Sequence, residues 1–351
     1  MKPPTDHQAA TRLTELLADL FDATPRVVVE QVGRKRVADY AISLPGHRFV
    51  AEYRSNASAS SVTAGIDQLN RCIAANPGGG LPLLVVPYMG SLGDQLCRNA
   101  AISWLDLSGN ARVSAPGVKI RISGCPNKYL DRGRPPNIFA PKSSRIVRQL
   151  LFHPDKFHTQ AELARLTRLG DGYVSKIVRR LADERYLETN KENAVRPHDP
   201  DLLLDAWYEA YDFSHHRITK GHVPARSGDD LLDRVMKKVS HEDLEWGVTG
   251  LGAAWQYTRF AAFRLATIYL SRVPSQSFLE TIGFSEEPKG ANLWLVLPDD
   301  DGVFSASAVV QGIRCVSAVQ TYLDLKAQPE RAKEAATELR KRLLNWGLRG
   351  A

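Results

Sequence analysis

Asp39, Glu52 and Arg54 are the residue types that can hold a divalent cation and orient a water against a phosphodiester. Twelve residues separate Asp39 from Glu52, and both lie in β-rich sequence. In a strand, Glu52 and Arg54 point to the same face. On this reading Asp39 and Glu52 bind Mg²⁺, and Arg54 is the nearby cation of a nuclease centre. The competing reading is an ordinary surface pair, because two acids and one base across paired strands also arise by chance.

A second group suits a polyanion. Val174, Ile177, Val178 and Leu181 form an apolar helical stripe, and Tyr173, Ser175, Lys176, Arg179, Arg180 and Asp183 lie off it. A helix fits the major groove of duplex DNA, and its early residues reach base edges. Tyr173, Ser175 and Lys176 hold those positions, while Arg179 and Arg180 suit phosphate or guanine. Lys191 and Arg196 flank a turn and are expected to meet phosphates. Thr159 and Gln160 open the preceding helix and complete the candidate DNA-binding set.

Three other features read as structural. Asp106 in Leu105-Asp106-Leu107-Ser108-Gly109-Asn110 belongs to a buried strand entering a turn. The stretch from Thr249 to Ala254 is glycine-rich, but it lacks the GK[ST] of a phosphate-binding loop and reads as tight helix packing. Minimal nucleotidyltransferases resemble it there, yet no paired aspartates follow on a strand. Asp299-Asp300-Asp301 reads as a solvated turn.

Positive charge is concentrated. Residues 112–196 hold 18 Lys/Arg and 8 Asp/Glu, a balance of +10, whereas the rest of the chain holds 28 and 31, a balance of −3. A basic segment between near-neutral flanks is a footprint for nucleic acid. Cys72, Cys97, Cys125 and Cys315 are widely spaced, which disfavours zinc and points to free thiols in a reducing compartment. Without a run of about 18 apolar residues or a signal-peptide pattern, the expected location is the cytoplasm.

These residues need elements to hold them. Residues 11–21 read as an amphipathic helix, followed by strands at 26–32, 37–44 and 48–53. A helix at 60–75, a strand at 81–86, a helix at 92–100, a strand at 102–107 and a hairpin at 110–123 complete an α/β domain over 1–126. Residues 127–141, rich in Pro, Gly and Arg, are a linker. Helices at 144–152, 160–166 and 172–184 precede a hairpin turning at 190–193, so 142–198 reads as a helix-turn-helix with a β-wing. Thr159 and Glu162 have capping-box spacing, Leu163, Ala164 and Leu166 face inward, and Asp171 caps the third helix. Residues 199–351 form a mixed α+β domain with helices at 202–211, 229–239, 252–263 and 329–345 and strands at 267–270 and 292–297.

The phrase TQAELARLTRLGDGYVSKIVRRLADERYLE resembles winged helices of bacterial regulators. The order of helix, three strands, helix and strand, with Asp39 and Glu52-x-Arg54, resembles the restriction-endonuclease-like (PD-(D/E)XK) fold, with arginine where that family's pattern has lysine. The resemblance implies that Gln68 in the following helix joins Asp39, Glu52 and Arg54 in the site, with Glu15 of the first helix as an accessory acid. Arginine stays protonated and does not replace lysine chemically, so the resemblance implies a silenced domain more than a nuclease. WGVTGLGAAW and SAVQTYLDLKAQPERAKEAATELR, together with the winged helix, resemble the AbiEi-family antitoxins over about residues 140–345. That resemblance implies a DNA-binding transcriptional regulator, with a cognate toxin protein as a further possible partner. A homodimer reading inverted half-sites is the expected assembly, because two weak modules gain affinity when linked.

Overall fold

The computed structural model describes residues 4–22, 26–28, 39–129, 137–287 and 289–347. The chain divides into two compact units, Met1–Pro136 with Arg180–Tyr186, and Asn137–Arg179 with Leu187–Ala351. The second unit holds both the central helices and the C-terminal segment.

The first unit runs α1 (Asp6–Phe21), β1 (Arg26–Val28), β2 (Tyr40–Leu44), β3 (His47–Tyr53), α2 (Ala59–Ala75), β4 (Leu81–Val86), α3 (Ser91–Asn99), β5 (Ser103–Asp106), β6 (Ala111–Ala115) and β7 (Val118–Ile122). Its seven strands lie in chain order in one sheet. Strands β3, β4 and β5 are parallel because helices α2 and α3 carry the chain back between them; the tight-turn connections give antiparallel pairs. Leu83 and Val85 of β4 pack with Leu13 and Leu17 of α1. Leu84 and Val86 point the other way, against Val62 and Leu69 of α2 and Cys97 of α3. This burial on both faces explains why the run from Leu81 to Val86 shows no polar alternation. Residues 29–32 and 37–38 of the expected strands, and 130–136 of the expected linker, lie outside the described residues.

The second unit begins with α4 (Pro141–Phe152), α5 (Gln160–Thr167), α6 (Asp171–Asp183, whose last residues belong to the first unit), β8 (Leu187–Thr189) and β9 (Val195–Pro197). It continues through α7 (Pro200–Ala210), β10 (Arg217–His222), α8 (Gly228–Val239), β11 (Trp246–Thr249), α9 (Gly250–Thr258), β12 (Ala266–Leu270), α10 (Gln276–Ile282), β13 (Ser285–Glu286), β14 (Leu293–Leu297), β15 (Ala308–Val310), β16 (Ile313–Cys315), α11 (Ala318–Leu325) and α12 (Ala332–Leu343). The second seven-stranded sheet has the order β13-β10-β14-β12-β11-β16-β15. One face packs Val248, Ile268 and Leu295 against Leu232, Ala253 and Leu339. The other gathers Tyr269, Val296 and Val316 with Phe213 and Phe304.

Several boundaries differ from expectation for local reasons. Helix α4 starts at Pro141, a residue suited to a first helical turn because its missing N–H has no partner there. Helix α9 stops at Thr258, where Arg259 turns left-handed with φ 51°, rather than running to 263. Leu166, expected inward, is 39% exposed, and Thr167 is buried in its place, bonding back to the Leu163 carbonyl at 2.6 Å. Among the described residues no helix is long and apolar enough to cross a membrane. All four cysteines are free.

Candidate nucleic-acid interface

Helices α4, α5 and α6 precede the antiparallel β8–β9 hairpin, and His158 adds a bridge to Val195. Thr159 caps α5, its hydroxyl accepting from the Glu162 N–H at 3.1 Å. Only half of the expected capping box forms. The Glu162 carboxylate turns to Lys156 at 2.6 Å and to buried His158 at 3.2 Å instead of the Thr159 amide. Burial holds His158 below the ordinary imidazole range, against the opposing pull of Glu162. Helix α6 is entered from Gly170, whose carbonyl accepts from Val174, so Asp171 is the first helical residue and not the cap. Its carboxylate still sits in the first turn, where the helix dipole favours an anion.

The stripe Val174, Ile177 and Val178 is buried. Lys176 and Arg179 are exposed, and neither has an ion-pair partner among the described residues. Ser175 is half-buried. Tyr173 is committed internally, with its hydroxyl 2.8 Å from Ser143 Oγ and Lys142 above its ring. Arg180 pairs with Glu184 at 2.5 Å. Lys191 at the hairpin tip and Gln160 at the start of α5 are exposed. Arg196 is held differently from expectation: it pairs with Glu188, donates to the Asp155 carbonyl at 3.2 Å and stacks on Phe157. Phosphate contact would have to displace all three.

Charge counted along the sequence therefore overstates the usable footprint. Arg112 pairs with Asp94 and Arg145 with Asp300, while Arg148 is 3% exposed. It enters the second unit's core over Trp207. Its Nε donates to the Gly302 carbonyl at 2.8 Å, and its terminal nitrogens donate to Gln320 Oε1 at 3.1 and 2.8 Å. Gln320 Nε2 then donates to Asp324 at 2.7 Å. Asp324 also accepts from the hydroxyls of Tyr211, Tyr269 and Thr249. Burial pushes its carboxyl up to about 6, and the four hydrogen bonds pull it partly back. His216 Nδ1 accepts from the Asp299 N–H at 3.1 Å, which leaves Nε2 to donate to Tyr211 Oη at 3.0 Å. Burial holds His216 down to about 4. A glutamine and an aspartate one helical turn apart on α11 are the only sequence signal of this network.

In the first unit, the predicted nuclease residues share one neighbourhood. Glu52 is 7% exposed and pairs with Arg54 at 3.0 Å. Asp39 accepts from the Tyr53 N–H at 3.0 Å. Gln68 approaches Cys72 Sγ at 3.8 Å and accepts from Arg71 at 2.8 Å. The Cys72 thiol is raised first by burial and then by Glu52, with a smaller push from Asp39, against the lowering hydrogen bond from Gln68. Arg54 also donates to the Ala64 carbonyl at 3.2 Å. It locks the acid it was expected to assist. Glu15 pairs with Arg12 at 2.7 Å. Among the described residues no group of three or more His, Cys, Asp or Glu is placed to hold a metal ion.

The features read as structural have specific partners. Asp106 accepts from the amides of Met89, Gly109 and Asn110 and from the Asn110 side chain. Gly250 has φ +59°, and a Cβ there would lie 2.0 Å from the Gln328 side chain. Gln328 Oε1 accepts from the Leu251 N–H at 2.9 Å, filling the start of α9 where a phosphate cradle would have to open. Asp300, expected in a solvated turn, is instead largely covered, pairing with Arg145 at 2.7 Å.

Comparison of the chain with family models, curated proteins and solved structures finds no match.

Proposed function

We propose that the chain is a DNA-binding transcriptional regulator that grips duplex DNA through a winged helix-turn-helix formed by α4, α5, α6 and the β8–β9 hairpin. The observation that carries this reading is α6: it buries Val174, Ile177 and Val178 and presents Lys176 and Arg179 to solvent without partners among the described residues. Lys191 offers a third cation at the hairpin tip. An unpaired cation on a helix of groove-fitting width is what phosphate neutralisation requires. The resemblance to AbiEi-family antitoxins supports the same assignment, with a homodimer on inverted half-sites as the expected assembly. The first unit fits the restriction-endonuclease-like fold in its order of elements, and we read it as non-cleaving because Arg54 neutralises Glu52. The same ion pair weighs against Mg²⁺-dependent cleavage as the activity.

Three phosphate contacts per protomer, six in the homodimer, give a salt slope of about −5.4, so affinity should fall about 1,800-fold between 50 and 200 mM salt. Removing Lys176 and Arg179 leaves Lys191 of each protomer and should reduce the slope to about −1.8 and the fall to about 12-fold. Fluorescence anisotropy with a 30-base-pair duplex, comparing the parent with Lys176→Ala/Arg179→Ala, measures both. A double variant with the parent's slope and affinity would refute the assignment of α6.

A further inference from the structure

A cavity of about 290 Å³ opens on the second unit's sheet, in the part left uncovered by the seven-residue helix α10. Register places its lining. Arg217, Thr219 and Gly221 alternate onto one face of β10, opposite Leu297, Leu295 and Leu293 of β14. Phe284 covers Gly221, where a Cβ would come within 2.2 Å of the ring. The floor is thus leucine, with Leu279 and Phe284 as walls and Arg217 as the cation among the lining residues. Glu286 pairs with Gly221 and so stands at the other end. Arg217 and Glu286 are four strand positions apart, about 13 Å. Neither has an ion-pair partner among the described residues.

We infer that this cavity is a binding site for an apolar monocarboxylate. The leucine floor takes the hydrocarbon body, and the Arg217 guanidinium takes the carboxylate in the forked geometry that arginine provides. The Thr219 hydroxyl, two residues along the same face, supplies a further donor. Glu286 sets the charge count: a second anionic group at the far end of the ligand would meet its carboxylate, so dicarboxylates are rejected. The volume lies at the small end of ligand sites and admits on the order of a dozen non-hydrogen atoms. The inference is independent of DNA binding, since its lining residues lie on the C-terminal sheet, α10 and the segments that flank α10.

Isothermal titration of the full chain with decanoate, 1-decanol and decanedioate tests it. Decanoate should bind with a submillimolar Kd, and decanol and decanedioate at least tenfold more weakly. Arg217→Met, a substitution at an exposed position whose fold is checked by circular dichroism, should weaken decanoate at least tenfold. Glu286→Gln should bring decanedioate to within threefold of decanoate. No decanoate binding at 1 mM, equal affinity for decanol and decanoate, an unchanged Kd in Arg217→Met, or continued exclusion of decanedioate by Glu286→Gln would overturn the assignment.

Discussion

Asp324→Asn should change the pH dependence of stability in a direction fixed by the buried network. Asp324 is fully buried, and its carboxyl is pushed up to about 6. An unfolded aspartate titrates near 3.9, so between about pH 4 and 6 the folded state binds the extra proton. Its stabilising contribution is therefore complete below about pH 4 and lost as pH rises through about 6. The interval between the two titrations corresponds to about 3 kcal/mol. His216 has the opposite sign. Its imidazole is held down to about 4, so its contribution is present above the ordinary histidine range and lost as pH falls through about 4. The two slopes oppose each other across the same window, so their joint effect is small in the parent. Asparagine removes the carboxyl titration and leaves that of His216 alone. The difference in unfolding free energy, variant minus parent, should rise with pH by up to about 3 kcal/mol between pH 4 and 6.5. Urea unfolding followed by circular dichroism at half-unit pH intervals measures it. A flat difference would show that Asp324 does not titrate in this window, and a falling one would refute the sign.

Arg148→Met should destabilise the chain by about 3–5 kcal/mol at pH 7, because it leaves Gln320 Oε1 and the Gly302 carbonyl buried without their donors. Combined with Asp324→Asn, the loss should fall short of the sum of the single variants by about 1–3 kcal/mol, as read from a double-mutant cycle in urea. Thr159→Ala should cost about 1 kcal/mol through the lost α5 cap and leave the salt slope of DNA binding unchanged within error. Arg196→Ala should likewise act on thermal stability more than on the salt slope, since its guanidinium is already spent on Glu188, Asp155 and Phe157. Arg54→Ala should lower the thermal midpoint, because it removes the half-buried ion pair with Glu52 and the bond to the Ala64 carbonyl; an unchanged midpoint would refute a stabilising role for Arg54.

The elements most legible in the sequence are those whose burial pattern is local. Strand β4 is found to the residue because its branched run is covered on both faces. Helix α6 is found within one residue at each end because its apolar stripe repeats at helical spacing. Strands β10, β11, β15 and β16 and helix α11 are not legible in the same way. They are short, and the register of the strands depends on partners far along the chain: β11 lies between β12 and β16, and β10 pairs with β14 some 80 residues later. The functional residues divide in the same way. Lys176 and Arg179 can be read as exposed because neighbouring positions on one helix show which face is apolar. Arg196 cannot be seen as occupied, because Phe157 and the Asp155 carbonyl approach it from outside its hairpin. Nor can Arg148 be seen as buried, since Gly302 and Gln320 lie more than 150 residues away. A cation's position on a helix thus follows from periodicity, but its availability depends on which acids and carbonyls the tertiary fold brings to it. That is why a segment with a balance of +10 offers a phosphate backbone fewer free cations than its charge suggests.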